Sequence, residues 1–142
     1  MEIKNKKAYF DYFIEETMEC GIELKGTEIK SLRRGSGDFK DTFALIRNGE
    51  VFLHNMYIAK YEEGNIFNHD ERRTRKLLLH KNEIKKLKEK VDREGYSLVP
   101  LKAYLVKNRV KILLGLGKGK KLYDKRETIK ERDLKREAQR MR

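Results

Sequence analysis

The chain has 142 residues, and its 35 Lys and Arg outnumber its 23 Asp and Glu, which gives a formal net charge of +12. This length suits one compact domain with a modest core, and the positive field attracts polyanions, nucleic acid above all. Cys20 is the one cysteine of the sequence, so no intrachain disulfide can form, and no apolar run is long enough to span a membrane. We therefore expect a cytoplasmic protein with no membrane association.

The first predicted element is a half-buried strand over residues 12–24. Its apolar residues fall on one parity, namely Tyr12, Ile14, Met18, Cys20, Ile22 and Leu24. This period of two is typical of a strand with one buried face, and Gly21 within it indicates a bulge or bend. A short helix is predicted next, with Thr27 as its N-cap and with Arg33-Arg34-Gly35 at its end.

Two β-hairpins and one longer helix follow. In residues 43–53, Asn48-Gly49 is the preferred pair for a type I′ turn. A second hairpin spans residues 101–114 around Lys107-Asn108-Arg109. Between the hairpins, a helix is predicted from about residue 81 to 93, because His80 and Glu83 have capping-box spacing and Gly95 can end it. Residues 57–70 have no clear period and are predicted to form a long loop.

The character of the sequence changes from Gly115 onward, where glycines alternate with lysines and leucines. We predict that strand-like burial ends there. Residues 120–142 contain ten Lys or Arg and five Asp or Glu. Such a segment buries too little apolar surface to order alone. The predicted organisation is thus a domain at 1–119 and a basic tail at 120–142 that is disordered when free and helical when bound.

The sequence contains little that suggests catalysis. The three histidines have no common metal-ligand spacing, and no nucleophile elbow or dinucleotide fingerprint is present. The segment 115–120 resembles a phosphate loop, but no apolar-periodic helix follows it. A hydrolase that acts on RNA would need a positioned base with a metal or nucleophile, and we cannot assemble one. We expect no enzymatic activity, no metal and no cofactor.

The arrangement of charge favours RNA as the partner. Four cations stand without an intervening acid in Arg72-Arg73-Thr74-Arg75-Lys76, and this segment is predicted to contact RNA. For residues 81–93, where Lys and Glu mix, a solvated exterior is the better interpretation. Glu19 lies on the outer parity of its strand, where it is either a plain exposed acid or an acceptor for an RNA base or ribose.

The elements together predict a mostly β protein with short helices. Five or six antiparallel strands in a curved sheet with a basic face are typical of an OB-type barrel with a basic C-terminal tail. Such barrels bind oligonucleotides, but the fold alone leaves open a general single-strand or ribosomal RNA binder.

Several ordered segments carry a family resemblance. They are NKKA (5–8), YFIEE (12–16), ECGI (19–22), GTEIKSLR (26–33), RKLLL (75–79), GKGKK (117–121) and DKR (124–126). Together they resemble the small protein B (SmpB) family, whose members bind transfer-messenger RNA (tmRNA). The resemblance covers essentially the whole chain from Asn5.

The resemblance implies an OB-type barrel that grips the tRNA-like domain of tmRNA and delivers it, with elongation factor Tu, to stalled ribosomes. A monomer is expected. The tail would enter the decoding centre and the vacant message channel. Residues implied in RNA binding are Asn5, Lys7, Glu19, Lys30, Arg33, Arg75, Lys76 and Leu78, and the basic surface predicted from charge adds Lys111 and Lys118. Residues implied at the decoding centre are Gly119, Tyr123, Asp124, Lys125 and Arg126.

Three positions depart from the usual family pattern. Cys20 stands where Ala is usual, a change between small residues. Glu71 replaces a common Pro and is expected to loosen the entry to residues 72–76. Gly117 replaces a usual Ala and is expected to add flexibility between barrel and tail.

Overall fold

The computed structural model describes residues 1–120, except for the side chains of 65–67. The strands are β1 (Glu2–Lys4), β2 (Tyr12–Ile22), β3 (Gly37–Asp38), β4 (Phe43–Arg47), β5 (Glu50–His54), β6 (Tyr57–Ile58), β7 (Arg75–Leu78), β8 (Ser97–Val106) and β9 (Arg109–Gly119). The helices are α1 (Lys6–Asp11), α2 (Gly26–Arg33) and α3 (Lys81–Glu94), with a 3-10 helix at Glu62–Phe67. The predicted tail lies outside the described residues apart from Lys120.

Seven strands form one antiparallel sheet in the order β1-β8-β9-β2-β7-β5-β4. Strand β4 is at one end of this order and β8 is second from the other end, yet the two strands are in contact. The sheet therefore curls round on itself, and the OB-type barrel expected from the sequence is confirmed. Strands β3 and β6 form a separate two-stranded ribbon.

The core lies inside the curled sheet. Alternate residues of the long strands point into it, and the side chains of Leu53, Leu77 and Ile112 are almost wholly buried. A second, smaller cluster lies outside the sheet, where Ala8 of α1 packs with Val99 and Leu101 of β8. This second cluster attaches α1 to the outer surface of the barrel.

Both predicted hairpins are confirmed. Asn48 and Gly49 have φ values of 53° and 74°, as the type I′ turn requires. Lys107 and Asn108 have φ values of 48° and 64°, so the second hairpin turns in the same left-handed region. Its strands are longer than predicted.

The helix predicted at 81–93 is also confirmed. His80 is its N-cap residue, and the backbone N–H of His80 donates to Glu83 Oε1 at 2.9 Å. Gly95 ends the helix with a φ of 73°. Ile84 and Leu87 are buried, whereas Val91 is half-buried.

Two local predictions are wrong. The N-cap of α2 is Lys25, whose backbone N–H donates to Glu28 Oε1 at 2.8 Å, and Thr27 instead bonds to His69. The bulge in β2 lies between Ile14 and Glu16 rather than at Gly21. Gly21 is in register with Leu78 and Lys111. A Cβ at this position would lie 3.2 Å from Leu78 Cβ, so glycine here allows close packing of Leu78.

The strand prediction near Gly115 is wrong as well. Strand β9 continues to Gly119, and both Gly115 and Gly117 are buried. Gly117 is paired with Ile14 on one side and with Ser97 on the other. It is therefore a paired position inside β9. The loop predicted at 57–70 contains β6 and the 3-10 helix.

Candidate nucleic-acid interface

One row of side chains crosses four strands on the outer face of the barrel. Tyr104 of β8 is paired with Lys111 of β9, Lys111 with Gly21 of β2, and Gly21 with Leu78 of β7. Directly paired residues on neighbouring strands project from the same face, so these four residues form a continuous line, here called the outer row. Leu78 is 45% exposed, an unusual position for a leucine at the middle of a sheet.

Glu19 lies beside the outer row, two residues before Gly21 on β2. The Tyr104 hydroxyl donates to Glu19 Oε2 at 2.8 Å. Burial, together with this hydrogen bond to the carboxylate, raises the pKa of Tyr104 to about 12, so its hydroxyl stays a donor at neutral pH. The bond fixes the orientation of the Glu19 carboxylate, which has further lone pairs to accept hydrogen bonds from a ligand.

The helix α2 brings more positive charge to this surface. Arg33 Nη2 donates to the backbone oxygen of Asn108 in the β8–β9 turn at 3.3 Å. A groove of about 210 Å³ opens between α2, this turn and the outer row. The lining of this groove includes Gly21, Ile29, Leu78, Asn108, Arg109 and Lys111. Lys30, also on α2, holds its ammonium group 5.6 Å from the centre of the Tyr61 ring.

Three predicted RNA-binding residues lie away from the outer row. Asn5 Nδ2 donates to the backbone oxygen of Pro100 at 2.7 Å, so this side chain attaches the start of α1 to β8. Lys7 lines a separate cavity with Phe39 and other residues. Lys118 lies near the far end of β9, with its ammonium group 4.7 Å from the centre of the Tyr96 ring. These residues can meet only a ligand that extends well beyond the row.

Arg75, which is predicted to contact RNA, lies inside the protein in this structure. The Arg75 side chain is 0% exposed, and it forms an ion pair with Glu28, which is equally buried. Its Nη1 donates to the backbone oxygen of Met56 at 2.6 Å. Burial lowers the pKa of Arg75, and the neighbouring Glu28 opposes that effect. Arg75 therefore joins α2 to β7 inside the protein.

The other cations of residues 72–76 are also engaged within the protein. Arg73 Nη2 contacts Glu28 Oε1 at 2.5 Å, and Arg72 Nη1 donates to the backbone oxygen of Asn55 at 3.0 Å. Lys76, which is partly exposed, pairs with Glu50 at 2.8 Å. The acid that balances two of these arginines is Glu28, which stands more than forty positions earlier in the chain. The run of cations in the sequence thus gave no sign of its internal partner.

The buried carboxylate of Glu28 is the electrostatic centre of this arrangement. Burial alone would raise its pKa, but hydrogen bonds from Arg73 and from the Lys25 backbone, with the nearby charge of Arg75, hold the pKa below its usual value. The carboxylate is therefore ionised at neutral pH. A buried ion group of this kind holds α2 and β7 together strongly, because removing one charged member leaves the others buried without a counter-charge.

The remaining titratable groups suggest packing roles. His69 is buried between Thr27 Oγ1 and the backbone oxygen of Ile58, each 2.8 Å from a ring nitrogen. Burial raises the pKa of the Cys20 thiol to about 12. Within residues 1–120, no three His, Cys, Asp or Glu side chains come together in a way that could hold a metal ion. None of the helices in that same range is long and apolar enough to cross a bilayer.

Comparison with known proteins gives a consistent family. The model of the family described as SmpB protein matches residues 2–142. The SsrA-binding protein of Bacillus subtilis is 62% identical over 137 residues, which cover 96% of this chain and 88% of the relative. That of Caldicellulosiruptor bescii is 61% identical over 129 residues, 91% of this chain and 82% of the relative.

A solved structure agrees with these sequence matches. It is described as "tmRNA-SmpB: a journey to the center of the bacterial ribosome", and it is 52% identical with a TM-score of 0.70 over 84% of both chains. On these grounds the chain belongs to the SmpB protein family.

Proposed function

We propose that this chain binds transfer-messenger RNA, which the relatives' name calls SsrA, and grips the tRNA-like part of that RNA with the outer row and Glu19. The observation that carries the proposal is the outer row itself. It places an exposed leucine, a lysine and an oriented carboxylate side by side on a barrel with a formal net charge of +12.

Each part of this surface suits one part of a folded RNA. The Glu19 carboxylate can accept hydrogen bonds from base amino groups or ribose hydroxyls, which lysine cannot do. Leu78 offers an apolar contact to an unstacked base or the face of a ribose. Lys111 and Arg33 neutralise phosphates on either side and release counterions. The combination favours a structured RNA with splayed loops over a regular duplex, whose base edges side chains read poorly.

The second part of the proposal concerns the ribosome. The chain would deliver its RNA to ribosomes stalled on truncated messages, together with elongation factor Tu, and would work in the cytoplasm. Gly119 and residues 123–126 would contact the decoding centre, with the Tyr123 ring able to stack on a ribosomal base. Support comes from the family membership and from the solved relative whose description names tmRNA, SmpB and the bacterial ribosome.

Binding to the outer row can be tested with the tRNA-like domain of tmRNA in an equilibrium titration. Leu78→Ala is expected to weaken binding about tenfold, within the range for loss of one base contact. Leu45→Ala is the matched control, because Leu45 is 44% exposed on β4, three strands from Gly21. Equal affinity of both variants and the wild-type chain would reject the assignment of the outer row.

The same titration distinguishes this function from general RNA binding. We expect unlabelled tRNA-like RNA to compete far better than a single-stranded RNA of equal length. A general OB-type binder would show little preference and a steep dependence on salt that ignores sequence. Glu19→Ala should lower the affinity for the tRNA-like RNA more than it lowers the affinity for the single-stranded RNA.

The role of the tail can be tested by deleting residues 123–142. The truncated chain is expected to keep its affinity for the tRNA-like RNA, since the outer row lies wholly within residues 1–120. Peptide tagging on stalled ribosomes in a reconstituted translation system should be lost. Loss of both activities to the same degree would contradict a division of labour between barrel and tail.

A further inference from the structure

The short helix α1 exposes two aromatic side chains to solvent. Phe10 is 78% exposed and Tyr9 54% exposed, the two highest values among the large apolar side chains that the structure describes. Lys6 lies four residues before Phe10, which places it on the same face of the helix. An exposed apolar patch bordered by polar or charged residues is typical of a binding surface.

These side chains form one wall of a groove. The groove lies between α1 and the outer surface of β8 and β9, has a volume of about 500 Å³ and includes Tyr9, Phe10 and Leu113. Three lysines at its edge are Lys4, Lys6 and Lys102. Its walls are therefore largely apolar, and its rim is cationic.

The groove opens directly beside the outer row. Leu113 is paired with Glu19 across β9 and β2, and it lies two residues after Lys111 on the same face. On the other side of the strand pair, Lys102 is paired with Leu113. A ligand that covers Glu19 and Lys111 thus reaches the mouth of the groove within one nucleotide or two.

Charge decides which class of ligand fits. Two acids are close. Glu19 is paired with Leu113 and accepts a hydrogen bond from Tyr104. Glu2 contacts Lys4 at 3.4 Å and Lys102 at 3.7 Å, but both of these ion pairs are well exposed and so hold the lysines weakly. Three cations against two acids leave a net positive charge at the rim, which disfavours a basic peptide and attracts phosphate. An apolar wall with aromatic rings accepts the face of any nucleobase.

We propose that this groove receives one unpaired base of the bound RNA, stacked on Phe10, while Lys6 and Lys102 meet the phosphates on either side of it. The proposal rests on the proposed function and adds to it a stacking site outside the outer row. It predicts that the RNA extrudes a base at the point where it leaves Glu19 toward α1.

A tryptophan reporter tests this directly, because the chain has no tryptophan. Phe10→Trp introduces a single indole in the groove, and a base stacked on it should quench its emission by about half or more when the tRNA-like RNA saturates the full-length protein. Leu45→Trp is the matched control, since Leu45 is 44% exposed on β4 and does not line the groove. Its emission should change little with the same RNA.

Affinity provides the second measurement. Phe10→Ala is expected to weaken binding of the tRNA-like RNA about tenfold, whereas Phe10→Trp should bind within about twofold of the wild-type chain. Unquenched Phe10→Trp emission at saturating RNA, or full affinity of Phe10→Ala, would overturn the groove assignment and leave the proposed function intact. A wild-type chain with no preference for the tRNA-like RNA would refute the proposed function itself. If Phe10→Trp does not fold, the affinity of Phe10→Ala decides the question alone.

Discussion

Replacing Glu28 by Gln probes the ion group that joins α2 to β7. The Gln side chain has almost the same shape, so the change removes one negative charge and little volume. Arg75, which is 0% exposed, is then left as a buried cation without its counter-charge. Arg73 is 25% exposed and can partly turn to water. The cost therefore falls mainly on Arg75.

The size of the effect follows from this burial. Removing one partner of a buried ion pair costs about 3–5 kcal/mol, and the amide oxygen of Gln can still accept one hydrogen bond, which favours the lower end, about 3 kcal/mol. A domain of this size loses about 4 °C in melting temperature for each kcal/mol. We expect Glu28→Gln to melt about 12 °C below the wild-type chain.

Glu50→Gln is the matched control for the same chemical change. It breaks the pair with Lys76, whose two side chains are 34% and 44% exposed. Such exposed pairs contribute about 0–1 kcal/mol, so this variant should melt within about 4 °C of the wild-type chain. Both variants are measured by urea unfolding and by thermal melting, followed by far-UV circular dichroism.

The pH dependence gives an independent readout. Because the pKa of Glu28 in the folded chain lies below its ordinary value of 4.5, the stability that this group contributes is present above that value and is lost as pH falls through the folded pKa. The wild-type chain should therefore lose stability more steeply than Glu28→Gln as pH is lowered from about 5 to about 3. A Glu28→Gln variant that is no less stable than Glu50→Gln, or that keeps the full acid dependence, would refute this account of the ion group.

Three further predictions concern packing and backbone. Gly115→Ala places a Cβ 3.0 Å from Leu101 Cδ1 and should lower the free energy of unfolding by about 1–3 kcal/mol, whereas Gly119→Ala, with open space around it, should change it little in the same urea titration. Lys107 has a left-handed backbone with φ of 48°, which glycine adopts without strain, so Lys107→Gly should raise the free energy of unfolding by about 0.5–1 kcal/mol. An unchanged urea midpoint would contradict this prediction. Since burial raises the pKa of Cys20 to about 12, an aromatic disulfide reagent at pH 8 should label the native chain on the order of a hundredfold more slowly than the urea-unfolded chain.

Local patterns predicted much of this fold because their causes are local. Asn48-Gly49 requires left-handed backbone, and that requirement places the hairpin turn without any knowledge of the rest of the chain. His80 and Gly95 bound α3 for similar reasons. By contrast, β1 and α1 have three and six residues, and too few of them are apolar to produce a period.

The sequence did not reveal the surroundings of residues 72–76, because these surroundings depend on a distant partner. Charge in sequence suggested a free cationic patch, yet Glu28 from α2 neutralises it from within. One signal was available. In a strand that contains Leu77, residue 75 has the inward parity, so a strand placed over residues 75–78 would have put Arg75 in the core. The acid itself could not be identified from spacing.

The outer face of strand β9 is accessible along one half and covered along the other, and this difference limits where RNA can bind on the barrel. Its outward positions are Lys111, Leu113, Gly115 and Gly117, and the last two are buried beneath neighbouring side chains while the first two remain accessible. Glycine at 115 lets Leu101 and Ile14 close over the strand, and Ala8 of α1 packs on the same cluster. The outer face is therefore closed on one half and open on the other. The aromatic groove lies at that boundary, because there the apolar covering of the closed half meets the charged residues of the open half.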